Sequence, residues 1–146
     1  MSELGGSSDP AAGASLETGW LETGDGVIRV RGDGIVELRH AAGAIITLET
    51  GRRQTSLLAQ TVAHAGPRPL LVIAGRLKGM EREARLFLAH SPEAAATFSR
   101  VAVVTSSPVG RVLASIFLGF HRPSFPMKMF GDRTEAEAWL AEEAGG

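Results

Sequence analysis

The chain has 146 residues, with 15 Lys plus Arg against 16 Asp plus Glu, a formal net charge of -1, and 44% hydrophobic residues. That is the length and composition of one ordinary globular domain, long enough to bury a core. The near-neutral balance excludes a bulk basic field for holding nucleic acid, and the absence of cysteine excludes disulfides, thiolate catalysis and cysteine-type zinc sites.

Residues 1–17 are mostly Gly, Ser, Ala and Pro with a few acids. They offer too little apolar surface to offset the entropy of ordering and are expected to be a flexible tail, with a single domain over 18–146. The start of the chain shows no basic-then-apolar leader pattern. Order is expected from Trp20. Val27-Ile28-Arg29-Val30-Arg31 alternates apolar and charged residues, and Ile35-Val36-Glu37-Leu38-Arg39 follows a Gly32-Asp33-Gly34 turn, so the two read as a hairpin. After a break at 41–44, Thr47 is placed to cap a first helix. Its thin inner face is Gly51, Thr55, Leu58, Val62 and Ala65, with Gln54 and Thr61 at the margin and Gly66-Pro67 as the stop.

Leu70-Leu71-Val72-Ile73-Ala74 is a continuous apolar run, as a central parallel strand covered on both faces requires. A loop over 75–79 leads to a helix faced by Met80, Ala84, Phe87 and Leu88. Ser91-Pro92 opens a further short helix, with Ser as cap and Pro in the first turn. Val101-Ala102-Val103-Val104 reads as a second buried strand. A helix opening on Ser107-Pro108 then presents Val109, Val112, Leu113, Ile116 and Phe120 as its core face, with Phe117 at the edge and Leu118 projecting away. The longest apolar segment, 112–120, carries Ser115 and Gly119 and is far shorter than the roughly 20 residues of a membrane span. A turn bracketed by Pro123 and Pro126 precedes a strand over 127–130. The last helix has an Asp132/Glu135 capping box and an inner face of Ala136, Trp139 and Leu140. This order predicts an α/β fold: a mixed, mostly parallel sheet of about five strands with four to five helices.

Glu83-Ala84-Arg85, Ser107-Pro108-Val109 with Arg111-Val112, Phe117-Leu118-Gly119-Phe120 with Arg122-Pro123 and Pro126, and Ala138-Trp139-Leu140 give the chain a family resemblance. Over about 27–140 it resembles the bacterial STAS, or SpoIIAA-like (anti-anti-sigma-factor-like), proteins, and among them the uncharacterised branch. The resemblance implies a non-enzymatic regulatory or protein-interaction module. It also implies an alternative, a protein that takes a small amphipathic ligand such as a lipid or associates with a membrane surface. Regulatory members carry a phosphorylatable Ser at the start of the helix after the central strand. Here 75–81 is Gly-Arg-Leu-Lys-Gly-Met-Glu, without Ser or Thr, which puts that switch in doubt.

Ligands of open α/β sheets sit at the carboxyl ends of strands. Arg76, Lys78, Ser106, Ser107 and Arg111 lie at two such ends and, if the strands are neighbours, are a candidate anion site. The competing reading is a Ser107 helix cap with solvated basic residues. Phe117, Leu118, His121 and Phe125 are the candidate interaction surface, for a protein partner or a second copy of the chain in a homodimer. The lipid alternative calls for an enclosed apolar pocket of about 300 Å³ or more. Asp25, Asp33 and Asp132 read as turn residues. The spacing of His40, His64, His90 and His121 makes no helical metal clip, and no triad or Walker-type loop is present, so neither metal, cofactor nor catalytic residue is expected. The cysteine-free composition accords with a cytoplasmic protein.

Overall fold

In the computed structural model, residues 19–63, 66–105, 107, 108, 111, 112, 115 and 125–145 are described. The expected hairpin is β2 (Gly26–Val30) and β3 (Val36–His40), paired antiparallel with Arg29 opposite Glu37. Its turn needs Gly34, which has φ 89, while Asp33 Oδ1 accepts the Ile35 amide at 3.2 Å. A two-residue strand, β1 (Leu21–Glu22), which the sequence reading did not anticipate, extends the hairpin at its outer edge.

From β3 the chain passes through β4 (Ile45–Ile46) into α1 (Leu48–Thr61), which is capped by Thr47 Oγ1 accepting the Thr50 amide at 3.1 Å. The helix ends at Val62, earlier than the expected stop at Gly66-Pro67. Ala65, expected on its inner face, lies outside the described residues. Gln54, expected at the margin of the face, is buried. Next come β5 (Arg68–Ile73), β6 (Gly79–Met80), α2 (Arg82–His90) and α3 (Pro92–Thr97), whose cap is Ser91 as expected. β7 (Phe98–Val104), β8 (Met127–Phe130) and α4 (Arg133–Gly145) complete the order. At the start of α4, Asp132 Oδ1 accepts the Thr134 amide at 2.7 Å.

The main sheet runs β1-β2-β3-β5-β7-β8, and its last four strands are parallel. The fold is the mixed, mostly parallel α/β class that the sequence implies. Because these strands add in one direction, right-handed crossovers put the intervening helices on one face. On that face Leu58 and Val62 of the α1 segment, Ala94 of α3 and Phe98 pack with Val36, Leu38, Leu70 and Val72. Ala136 and Leu140 of α4 cover the other, against Ile35, Leu71 and Ala102. The period-two alternation of each strand sorts its side chains between the two layers.

Two expectations are corrected here. Phe125, expected on a contact surface, is 8% exposed and sits edge-on to the Phe98 ring at 5.7 Å, inside the helix-side core. Val112, expected on a buried helix face, is 58% exposed. Its neighbours explain this: Pro108, Arg111, Val112 and Ser115 have helical backbone, fall at i, i+3, i+4 and i+7, and are all exposed, so that stripe faces solvent.

Leu71, fully buried between the layers, tests this packing. Leu71→Ala should lower unfolding stability by about 3 kcal/mol in urea titration, within the range for cavity-forming leucine truncations.

Candidate functional site

Two polar features stand out, and neither was legible as a motif. The first is on the α4 face. Glu37 points there from β3, and its side chain is 0% exposed. Its Oε2 accepts from Arg39 Nε at 2.8 Å, and its Oε1 accepts from Arg133 Nη2 at 2.9 Å and Arg29 Nη2 at 3.5 Å, with Arg31 Nη1 at 3.8 Å. Arg133 also donates to Glu137 at 3.0 Å, Arg31 donates to Glu137 at 2.7 Å and to Asp33 at 2.7 Å. Trp20 closes the group: the guanidinium carbons of Arg29 and Arg39 lie 4.4 and 4.9 Å from its ring centroid.

Burial alone would raise the Glu37 carboxyl. The hydrogen bonds and charges of Arg39 and Arg133 outweigh it and hold the group below the ordinary carboxylate range. Burial would likewise raise the Glu137 carboxyl, and the hydrogen bonds from Arg31 and Arg133 outweigh it and hold the group lowered. Arg133 is held above its usual value, chiefly by its bond to Glu37. Both carboxylates are therefore locked as anions. They brace the hairpin against α4 and are not free to move protons.

The second feature is an apolar chamber of about 110 Å³ between α1 and the sheet. Leu38, Leu70, Val72 and Val101 form its floor, and Leu58 of α1 and Leu88 of α2 are among its walls. Its polar lining, among the described residues, is His40, Gln54 and Thr55. Gln54 Nε2 donates to Thr23 Oγ1 at 3.4 Å, which ties α1 to the hairpin end. His40 ends β3 opposite Gly26, where a methyl group would collide with the Arg39 carbonyl, so the backbone bends closely around it. Its Nδ1 is shut off from solvent and has no hydrogen-bond partner. Burial pushes the imidazole from 6.5 down to about 4, against a weaker opposite pull from Asp25. His40 is a neutral imidazole at neutral pH. The chamber is about a third of the volume that a lipid-sized pocket calls for.

The sequence-predicted anion site lies at the carboxyl ends of the parallel strands, the end at which His40 closes β3. β5 and β7 are neighbours, so their carboxyl ends adjoin. The loop after β5 is held by its backbone: Gly43 N donates to Arg76 O at 3.0 Å and Lys78 N to Ala44 O at 2.8 Å. Arg76, Lys78 and Arg111 are exposed, and Ser107, at the start of the helical stripe, donates its amide to Thr105 Oγ1 at 3.2 Å. Ser106, Phe117, Leu118 and His121 lie outside the described residues. The strands after β3 never reverse direction of growth, so no switch-point crevice forms between them. No group of three or more His, Asp or Glu able to hold a metal occurs among the described residues. No described helix is long and apolar enough to cross a membrane.

A family model described as a domain of unknown function, DUF7793, matches residues 28–143. The chain belongs to the DUF7793 family. A solved protein of unknown function from Arthrobacter sp. FB24 is 33% identical to it, over 78% of this chain and 97% of that one, with a TM-score of 0.31. An uncharacterized DUF3478 protein from Shewanella loihica PV-4, described as having a SpoIIAA-like fold, is 24% identical, over 77% of this chain and 90% of that one, with a TM-score of 0.48. No curated protein matches this DUF7793 chain.

Two measurements check the electrostatics. Glu37→Gln removes the carboxylate that Arg29 and Arg39 face and leaves Arg133 with Glu137 alone, and it should cost about 3 kcal/mol of stability, the low end for breaking a buried pair because the guanidinium groups reach solvent. For His40 the folded value lies below the unfolded one, so the unfolded chain takes up the proton first as pH falls. Its contribution is complete above about 6.5 and should be lost between 6.5 and about 4, to a total of roughly 3 kcal/mol. Imidazole NMR should show the folded His40 still neutral at pH 5.5.

Proposed function

We propose that this chain is a non-enzymatic, cytoplasmic interaction module, and that it docks the exposed face of the helical stripe after β7 on a protein surface, with a second copy of itself as the partner. The observation that supports this reading is Val112, an apolar side chain 58% exposed between Arg111 and Ser115 on one helix face. Covering a valine of this kind is worth up to roughly 1.5–3 kcal/mol. An apolar anchor beside an arginine is the composition that protein contacts favour. In the sequence the same spacing runs on to Leu118, the residue singled out for contact. A two-fold contact uses the patch twice, so one modest anchor per chain counts double. The non-enzymatic part is supported by the carboxylates: among the described residues the two with displaced titration, Glu37 and Glu137, are bound to arginines in a bracing role.

Sedimentation velocity over a concentration series tests it. The chain should dimerise, and Val112→Asp and Leu118→Asp should each shift it to monomer while leaving thermal stability within a few degrees. A chain that is monomeric throughout, or a dimer that both substitutions leave intact, would refute the docking face.

A further inference from the structure

Arg76, Lys78 and Arg111 stand exposed at the carboxyl ends of β5 and β7. We infer that the turn after β5 and the segment after β7 together form an oxyanion site, and that its ligand is a phosphate group carried on a larger molecule. Arg111 also borders Val112, but this site needs only one copy of the chain.

Placement is the first argument. Ala74 N donates to Val104 O at 3.0 Å, which sets the start of the turn against the end of β7. From there Ser107 N donates to Thr105 Oγ1 at 3.2 Å and Arg111 N to Ser107 O at 3.0 Å, so Arg111 is one helical turn past that strand end. Two basic segments thus start from paired strands about 4.8 Å apart. Their long, flexible side chains can close on one ligand from both strands.

The backbone is the second argument. Leu77 N closes the turn on Ala74 O at 3.0 Å, with Gly75 at φ 55. The bonds from Gly43 N to Arg76 O and from Lys78 N to Ala44 O hold the turn against the segment before β4. The amides of Gly75 and Arg76 are left over, with no partner among the described residues. They are two successive N–H donors on a fixed turn, at the base of the Arg76 side chain. Successive turn amides of this kind form an anion-binding concavity.

Charge is the third argument. No ion pair among the described residues includes Arg76, Lys78 or Arg111, whereas the hairpin arginines are met by Glu37, Glu137 and Asp33. Glu81, the acid nearest the turn in sequence, accepts the Leu48 amide at 3.3 Å. An oxyanion would supply the missing counter-charge, and its several oxygens can take a guanidinium fork, an ammonium and amides together. A phosphate monoester brings close to two charges and three acceptor oxygens, more than a carboxylate does. The three cations are open to solvent and no crevice encloses them, which suits a phosphate at the end of a larger molecule.

Amide NMR titration of the full chain with sodium phosphate at pH 7.5, against sodium chloride at equal ionic strength, tests the site. Phosphate should move the Gly75, Arg76, Lys78 and Arg111 signals to saturation, and chloride should not. Arg76→Ala combined with Lys78→Ala should weaken phosphate binding by about tenfold, the value of two exposed charge contacts. Lys128→Ala, which removes a cation on β8, should leave binding unchanged. The replaced side chains are exposed, so these variants should melt with the unaltered chain. Flotation with phosphatidylcholine vesicles, with and without phosphatidic acid, separates the sources. Capture by the phosphatidic acid vesicles assigns the phosphate to a lipid headgroup, and no capture assigns it to a soluble ester. The inference is overturned if phosphate moves no signal at the turn, if chloride moves the same signals equally, or if the double variant binds phosphate as the unaltered chain does. A chain that binds phosphate but stays monomeric keeps this site and loses the docking face, and a dimer indifferent to phosphate does the reverse.

Discussion

The Glu37 carboxylate, sealed from water and surrounded by Arg29, Arg31, Arg39 and Arg133, is the constraint on which the α4 layer depends. A lone carboxylate at a fully buried position would neutralise or unfold its surroundings. Here the charge is met by groups from three elements: the hairpin strands supply Arg29 and Arg39, and α4 supplies Arg133. Glu137, one turn along α4, takes the second side of Arg133 and reaches Arg31 just beyond β2. The N-terminal hairpin and the C-terminal helix, about a hundred residues apart in sequence, are thereby fixed to one another. The apolar contacts of Ala136 and Leu140 with Leu71 and Ala102 add burial energy but little direction. The ion network sets the register.

Strand alternation divides the molecule. Residues that put Glu37 and Arg39 on the α4 face put Val36, Leu38 and His40 on the α1 face. One face thus carries charge at its hairpin end, while the chamber on the other is lined, among the described residues, by apolar groups except for His40, Gln54 and Thr55. The same-direction growth of the parallel strands places the helices between them on a single face. The chamber therefore lies under α1 and extends to the strand ends at His40, Ala74 and Leu77.

Much of this was legible locally. The hairpin, the apolar β5 run, the Thr47 and Ser91 caps and the inner face of α4 follow from alternation, capping chemistry and helical spacing. What was not legible depended on which surfaces meet. Arg29, Arg31, Glu37 and Arg39 were readable as charges on one face of a hairpin, but alternation alone reads that face as solvated. The available clue was the Arg133–Glu137 pair at i, i+4, a matching set of charges on the last helix. Spacing alone places Val112 inward, because the segment around it is apolar on more than one side and spacing cannot choose among such faces. Local sequence places Phe125 outward, because only its long-range partner, Phe98, gives the reason for its burial. In the sequence His40 is a histidine with no partner at helical spacing, and its chamber is assembled from segments spread from Leu38 to Met127.

The central claim is that one coupled ionic network, and not a set of independent surface pairs, joins the hairpin to α4. A double-mutant cycle on Glu37→Gln and Arg133→Met, read by urea unfolding, tests it most directly. Coupling predicts that the double variant loses less stability than the sum of the singles, by about 1 kcal/mol or more. Additivity within about 0.5 kcal/mol would mean that the two residues act independently, and would contradict the account.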